Sequence, residues 1–241
     1  MTHLPALSAL IVLAAASASG QLPGDAPGWM ARGRAAIAVG QTEKAVEAFG
    51  KACSLNPKEP DPCYYLGRTL HALGRYEEAR RPLEQALAVV ADRTRSRIHR
   101  AVALNFAGLV QPDQAETHFL AAVRNFSGEA AEQDPRVDYG AFLVREGRAG
   151  EALPLLEKAV KGRPDSSRAH TEMGRALLDT GKPDAAARNL ERAVAIDPSA
   201  WVARLLLGGA YRQLGRLEES ERELTLGRKG WANQNARPGT P

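Results

Sequence analysis

WMARGRAAIAVGQTEKAVEAFGKACSLNP, residues 29–57, sets the register for the whole chain. Two later stretches align with it without a gap: RVDYGAFLVREGRAGEALPLLEKAVKGRP at 136–164 and HTEMGRALLDTGKPDAAARNLERAVAIDP at 170–198. Placing Pro57, Pro164 and Pro198 in one column puts a glycine 24 places before each: Gly33, Gly140 and Gly174. An alanine stands 12 places before (Ala45, Ala152, Ala186) and another 5 places before (Ala52, Ala159, Ala193). The period is about 34 residues, which marks an array of helical hairpins, none able to bury its apolar face alone. Such arrays bind partners more often than they transform them.

The same columns extend to six units, at 26–59, 60–93, 96–129, 133–166, 167–200 and 201–234. Each is expected to hold two helices of about a dozen residues. The turn between them centres on a glycine in five units, Gly40, Gly74, Gly147, Gly181 and Gly215, where a left-handed residue can close the first helix. Pro112 and Pro183 fall at the first position of a second helix, where the missing N–H costs nothing. Pro82 and Pro154 fall deeper and are expected to remove a backbone hydrogen bond. Helical spacing carries the same reading: Leu66, Leu70 and Leu73 share one face, and Ala79, Leu83, Ala86 and Leu87 share another. The third unit is the weakest, with Ala103 for the glycine and Ser127 for the closing proline, although Ala115, Phe119 and Ala122 keep the spacing.

These columns resemble those of tetratricopeptide repeats. The first unit shows Trp29, Gly33, Ala45, Phe49, Ala52 and Pro57; the second shows Leu66–Gly67, Ala79 and Ala86; the sixth shows Leu207–Gly208 and Tyr211. It departs from the pattern at Arg32, Ala91 and Ala232. The resemblance implies an all-α, right-handed superhelical solenoid of six antiparallel helix-pair repeats. One column marks the end of the array. Cys53, Leu87, Val123, Val160 and Val194 precede Arg228, so the sixth unit reads as its own polar cap and end-to-end stacking is disfavoured.

Basic and acidic residues nearly balance, 32 against 28, for a net charge of +4, too even to mark a nucleic-acid binder. Residues 1–20 contain no Lys, Arg, Asp or Glu, and their apolar run Ala6–Ala16 ends in small residues. They read as a signal peptide followed by a linker at 21–25, which places the chain in the periplasm or outside the cell. The alternative is an uncleaved anchor at residues 4–20. No cysteine lies near the cleavage site, which excludes lipid attachment there. The polar, proline-containing end, 235–241, reads as a disordered tail.

Cys53 and Cys63 belong to columns that face one another across the first two units. In an oxidising compartment such a pair reads as a disulfide; the alternative is two buried thiols packed side by side.

No zinc-protease, Walker, dinucleotide-binding or nucleophile-elbow motif is present. His3, His71, His99, His118 and His170 lack ligand spacing, and Asn125–Ser127 fits a glycosylation sequon that replaces a closing turn. No catalytic residue, metal or cofactor is expected. The family resemblance implies that the second, fifth, ninth, twelfth and thirteenth places of each first helix line a concave groove. Those places hold Arg34, Tyr64, Arg68, His71, Arg97, Arg100, Arg145, Arg168, Arg175 and Arg212, with Val137, Thr171 and Leu205 between them. Acids there are few: Asp61, Asp134 and Asp179. Arginine forks pair carboxylates bidentately, so this composition suits an anionic segment. The competing reading is that the arginines are solvated, their stems covering helix surface.

The expected function is that of an exported, non-enzymatic, monomeric scaffold for a protein or peptide segment. It would reach a membrane only through an uncleaved N-terminal segment. The lysine-and-asparagine clamp that some tetratricopeptide proteins use for chaperone tails is missing. The alternative is a periplasmic assembly factor resembling the pilotins of secretion and pilus systems, in size and architecture only.

Overall fold

The computed structural model describes residues 24–91, 95–128 and 133–236. The signal-peptide reading, most of the linker and the last five residues lie outside them. Among the described residues the chain is entirely helical, with twelve helices: α1 Ala26–Ala38, α2 Thr42–Leu55, α3 Pro60–Ala72, α4 Tyr76–Val89, α5 Arg95–Gly108, α6 Pro112–Arg124, α7 Pro135–Arg145, α8 Ala149–Gly162, α9 Ser167–Asp179, α10 Pro183–Ile196, α11 Trp201–Gln213 and α12 Leu217–Asn235. Odd helices are the first of each pair and even helices the second.

Local chemistry explains the helix ends. Asp25 accepts from the Gly28 N–H at 2.8 Å, Asp134 from that of Arg136 at 2.9 Å and Ser166 from that of Ala169 at 3.2 Å, each satisfying an orphan donor of a first turn. Gly40, Gly74, Gly147, Gly181 and Gly215 all close first helices at φ between 70 and 75°. At the equivalent turn of the third unit stands Val110, the one non-glycine residue at positive φ among those described. Pro82 and Pro154 sit inside α4 and α8, which continue through them.

Pairing rests on close approach. A Cβ added at Gly67 would lie 2.5 Å from Leu83, and one at Gly174 would lie 2.4 Å from Leu190, so the first helix meets the second without an intervening side chain. The facing alanines Ala79, Ala86, Ala186 and Ala193 are fully buried. That closeness is why the columns hold small residues.

The chain divides into two compact units between Ala115 and Glu116. In the first, α1 packs with α2, α3 with α4, and each pair with its successor through α2–α3 and α4–α5. Met30, Ala45, Phe49 and Ala52 form a cluster that Tyr65 and Leu66 of the next pair close, the rings of Phe49 and Tyr65 stacking at 5.5 Å. Cys53 and Cys63 are joined by a disulfide across this seam, with both residues buried. In the second unit α7–α8, α9–α10 and α11–α12 form the pairs. Phe119 lies between Tyr139 and Phe142, with centroids at 5.5 and 5.2 Å.

Candidate functional site: an arginine and tyrosine cluster on first helices

In the first unit, α3 and α5 lie side by side and bring three of the expected residues together. The Tyr64 ring is 4% exposed, its edges packed among α3 neighbours such as Tyr65. The guanidinium of Arg68, one turn along α3, sits 5.6 Å from the ring centroid, and that of Arg97 on α5 sits at 4.8 Å. Two cations over one aromatic ring is an arrangement in which the ring quadrupole offsets part of their repulsion. Arg97 also pairs with Asp61, while its buried Nε has no hydrogen-bond partner. Arg68 is exposed and makes no ion pair among the described residues. Arg100 is 9% exposed, so its stem is packed rather than solvated. His71 stacks obliquely on Tyr76 at 5.1 Å. Arg34, at the matching place on α1, is exposed and makes no ion pair among the described residues.

The second unit spreads its expected residues more widely. Arg145, at the end of α7, is exposed and makes no ion pair among the described residues. Arg168 pairs with Asp138, a carboxylate only 2% exposed, and Arg175 stands 3.7 Å from Glu172. Arg212 lines a cavity of about 330 Å³ between α11 and α12, with Leu224 and Arg228. Of the apolar residues expected beside them, Val137 is buried against Ala159 and Ala169, and Leu205 lies under α12, where a Cβ at Gly227 would meet it at 2.7 Å. Little of the Val137 side chain remains for a ligand, while Leu205 is half-buried. The described residues contain no group of three or more His, Cys, Asp or Glu arranged to hold a metal ion.

Sequence reasoning missed a second set of charges. Arg75, Arg148 and Arg216 each open a second helix and bind the glutamate three places on, Glu78, Glu151 and Glu219, at 2.5–2.8 Å. Each also reaches a glutamate of an earlier helix: Glu43 at 3.1 Å, Glu116 at 2.7 Å and Glu191 at 3.8 Å. The three-residue spacing was visible in the sequence; the cross-helix partners were not. Glu116 additionally accepts from the Tyr139 hydroxyl at 2.7 Å. The Arg148 hydrogen bond holds the Glu116 carboxyl below the usual carboxylate range, while burial, with that acceptor, pushes the Tyr139 hydroxyl up. Burial and a hydrogen bond to Glu191 likewise push Tyr211 up to about 12.

Two family models described as tetratricopeptide repeat match the chain, one over residues 171–227 and the other over 36–104 and 143–188. Cellulose synthase operon protein C of Escherichia coli (strain K12) is 41% identical over 59 residues, 24% of this chain, and the chain spans 5% of that protein. Among solved structures, the APC/C hetero-tetramer Cut9–Hcn1 superposes with a TM-score of 0.80 at 12% identity, over 94% of this chain and 44% of that one. YrrB, described as a TPR protein with an unusual peptide-binding site, gives 0.53 at 21% identity over 80% and 95% of the two chains. PilF of Pseudomonas aeruginosa gives 0.63 at 23% identity over 71% and 76%. At these identities the structural likenesses speak to the fold alone.

Proposed function

The chain belongs to the tetratricopeptide repeat family, and from that premise we propose that it is an exported, non-enzymatic scaffold that binds a protein or peptide segment along its first helices. The observation that carries this reading is the cluster of Arg68, Arg97 and Tyr64, with Arg34 at the matching place on α1. Exposed guanidinium groups without carboxylate partners favour an acidic stretch or a terminal carboxylate. Arg145 offers the same chemistry in the second unit, whereas Arg175, Arg168 and Arg97 already spend part of their charge on Glu172, Asp138 and Asp61. A peptide-binding site in the YrrB fold relative agrees with this reading. The reading includes a monomer, since Arg228 puts an exposed charge in the column that holds Val160 and Val194 in the two preceding repeats.

Export rests on the charge-free first twenty residues and on the buried Cys53–Cys63 disulfide, a bond that persists in oxidising compartments. No helix among the described residues is long and apolar enough to cross a membrane. The second reading, an assembly factor of a pilus or secretion system, draws on the likeness to PilF.

Affinity capture from cell-envelope extract tests the proposal, comparing the wild type with an Arg34→Glu, Arg68→Glu variant. Both positions are exposed, so the variant is expected to keep its helical circular dichroism. The expected result is a partner retained by the wild type and lost, at least tenfold, by the variant. Equal retention by both would retire the arginine face as the working site.

A further inference from the structure

Between α1 and α2, on the side away from α3, runs a groove of about 420 Å³ lined chiefly by Trp29, Arg32, Ala36, Val39, Lys44 and Ala48. Its residues recur at intervals of three and four along both helices, so the groove follows the helix axes. Its place in the repeat identifies what it lacks. The first-helix positions of Arg32, Ala36 and Val39 correspond in the second unit to Leu66, Leu70 and Leu73. There the equivalent space is filled by a helix, α2, against which Tyr65 and Leu66 pack. At the first pair the same column is bare: Val39 is 67% exposed and neighbouring Ile37 is 46% exposed. Repeat arrays ordinarily end in polar surface. The far end exposes apolar Leu217, Leu226 and Trp231 as well as Arg212 and Arg228.

The charges around the groove select among occupants. Arg32 and Lys44 make no ion pair among the described residues, whereas Glu47, which also lines the groove, has its carboxylate taken by Lys51 at 2.6 Å. Arg32 and Lys51 also flank the Trp29 ring, at 4.4 and 4.3 Å from its centroid. The surface is therefore an apolar channel with uncompensated positive edges. Residues 1–23 contain no Asp or Glu and do not match those edges. A second copy would present the same cations against themselves. A lipid surface would match the charge but not the concavity, since a channel between two helices accepts projecting side chains and a bilayer offers none.

We propose that this groove is a second docking site, taking an amphipathic helix of a partner protein whose apolar stripe is flanked by acidic residues, in the position that a preceding second helix holds elsewhere in the array. It is separate from the arginine and tyrosine cluster and stands or falls independently of it.

The test uses the full chain and two fluorescent synthetic helices, identical in a leucine stripe at i, i+3, i+4 and i+7 but flanked by glutamates in one and lysines in the other. Anisotropy titration is expected to give at least tenfold tighter binding of the glutamate-flanked helix. Lys44→Glu should erase that preference, and Val39→Glu should weaken both complexes at least tenfold. Both side chains are exposed, so both variants should keep wild-type circular dichroism. Binding of neither helix, equal binding of both, or insensitivity to Val39→Glu would overturn the proposal. So would a dimer that Val39→Glu dissociates, or binding to anionic phosphatidylglycerol vesicles without binding to the acidic helix.

Discussion

Val110 holds a left-handed backbone, φ 57°, at the one described first-helix turn that lacks glycine. For an L-residue that conformation costs roughly 1–2 kcal/mol, and branching at Cβ does not lessen it. The side chain is 84% exposed, so it gains little packing in return. Glycine would relieve the strain while adding roughly 0.4–1 kcal/mol of unfolded-chain entropy, so relief wins. Val110→Gly should therefore raise stability by about 0.5–1 kcal/mol, seen as a higher urea midpoint at unchanged slope. A lower midpoint would mean that Val110 makes a contact worth more than its strain. The five glycines at this turn were readable from spacing, because a left-handed cap selects for the missing Cβ. Val110 shows the limit of that reading. A residue can be carried into the left-handed region by the register of the helices on either side, and nothing in its own identity announces it.

Among elements, the cross-helix arginines tie α4, α8 and α12 each to an earlier helix. Glu116 on α6 meets Arg148 at the start of α8 and Tyr139 on α7, so one carboxylate joins three helices. The carboxyl is held low by its Arg148 hydrogen bond and then by that from Tyr139, against an opposing effect of burial. The sign follows. A carboxylate depressed in the folded state contributes stability above its unfolded value, about 4.3, and loses that contribution as pH falls through its folded value. Glu116→Gln should lower stability at neutral pH and flatten the decline between about pH 5 and pH 3. Chemical denaturation of both proteins across that range checks it; parallel curves would show that Glu116 is not the titrating group. Here the sequence disclosed half of the interaction. The three-residue Arg–Glu spacing within a helix was plain, but the partner 32 residues away depends on how successive pairs stack.

For the whole molecule, the repeat period carried nearly everything about architecture, since six registered copies of one hairpin leave little freedom in how helices pair. The cysteine columns likewise brought Cys53 and Cys63 face to face, and closing so short a loop contributes roughly 3 kcal/mol through the unfolded chain. The candidate site was only partly legible. Columns identified the arginines but could not separate Arg34 and Arg68, which meet no carboxylate among the described residues, from Arg97 and Arg168, which Asp61 and Asp138 engage. Nor could they separate an apolar residue open to a ligand from one buried in a seam, as Val137 is. Those distinctions arise from contacts between helices, where single columns carry no information.

The central claim, that a partner segment lies along the first helices, is tested most directly by site-specific photocrosslinking to the partner captured from the cell envelope. A photoreactive residue would replace, one at a time, Arg34 or Arg68 on first helices and Leu55 or Glu84 on second helices, all four exposed. Crosslinks from Arg34 and Arg68 with none from Leu55 and Glu84 are the expected result. Crosslinks from Leu55 and Glu84 alone would contradict the claim and move the binding surface to the second helices.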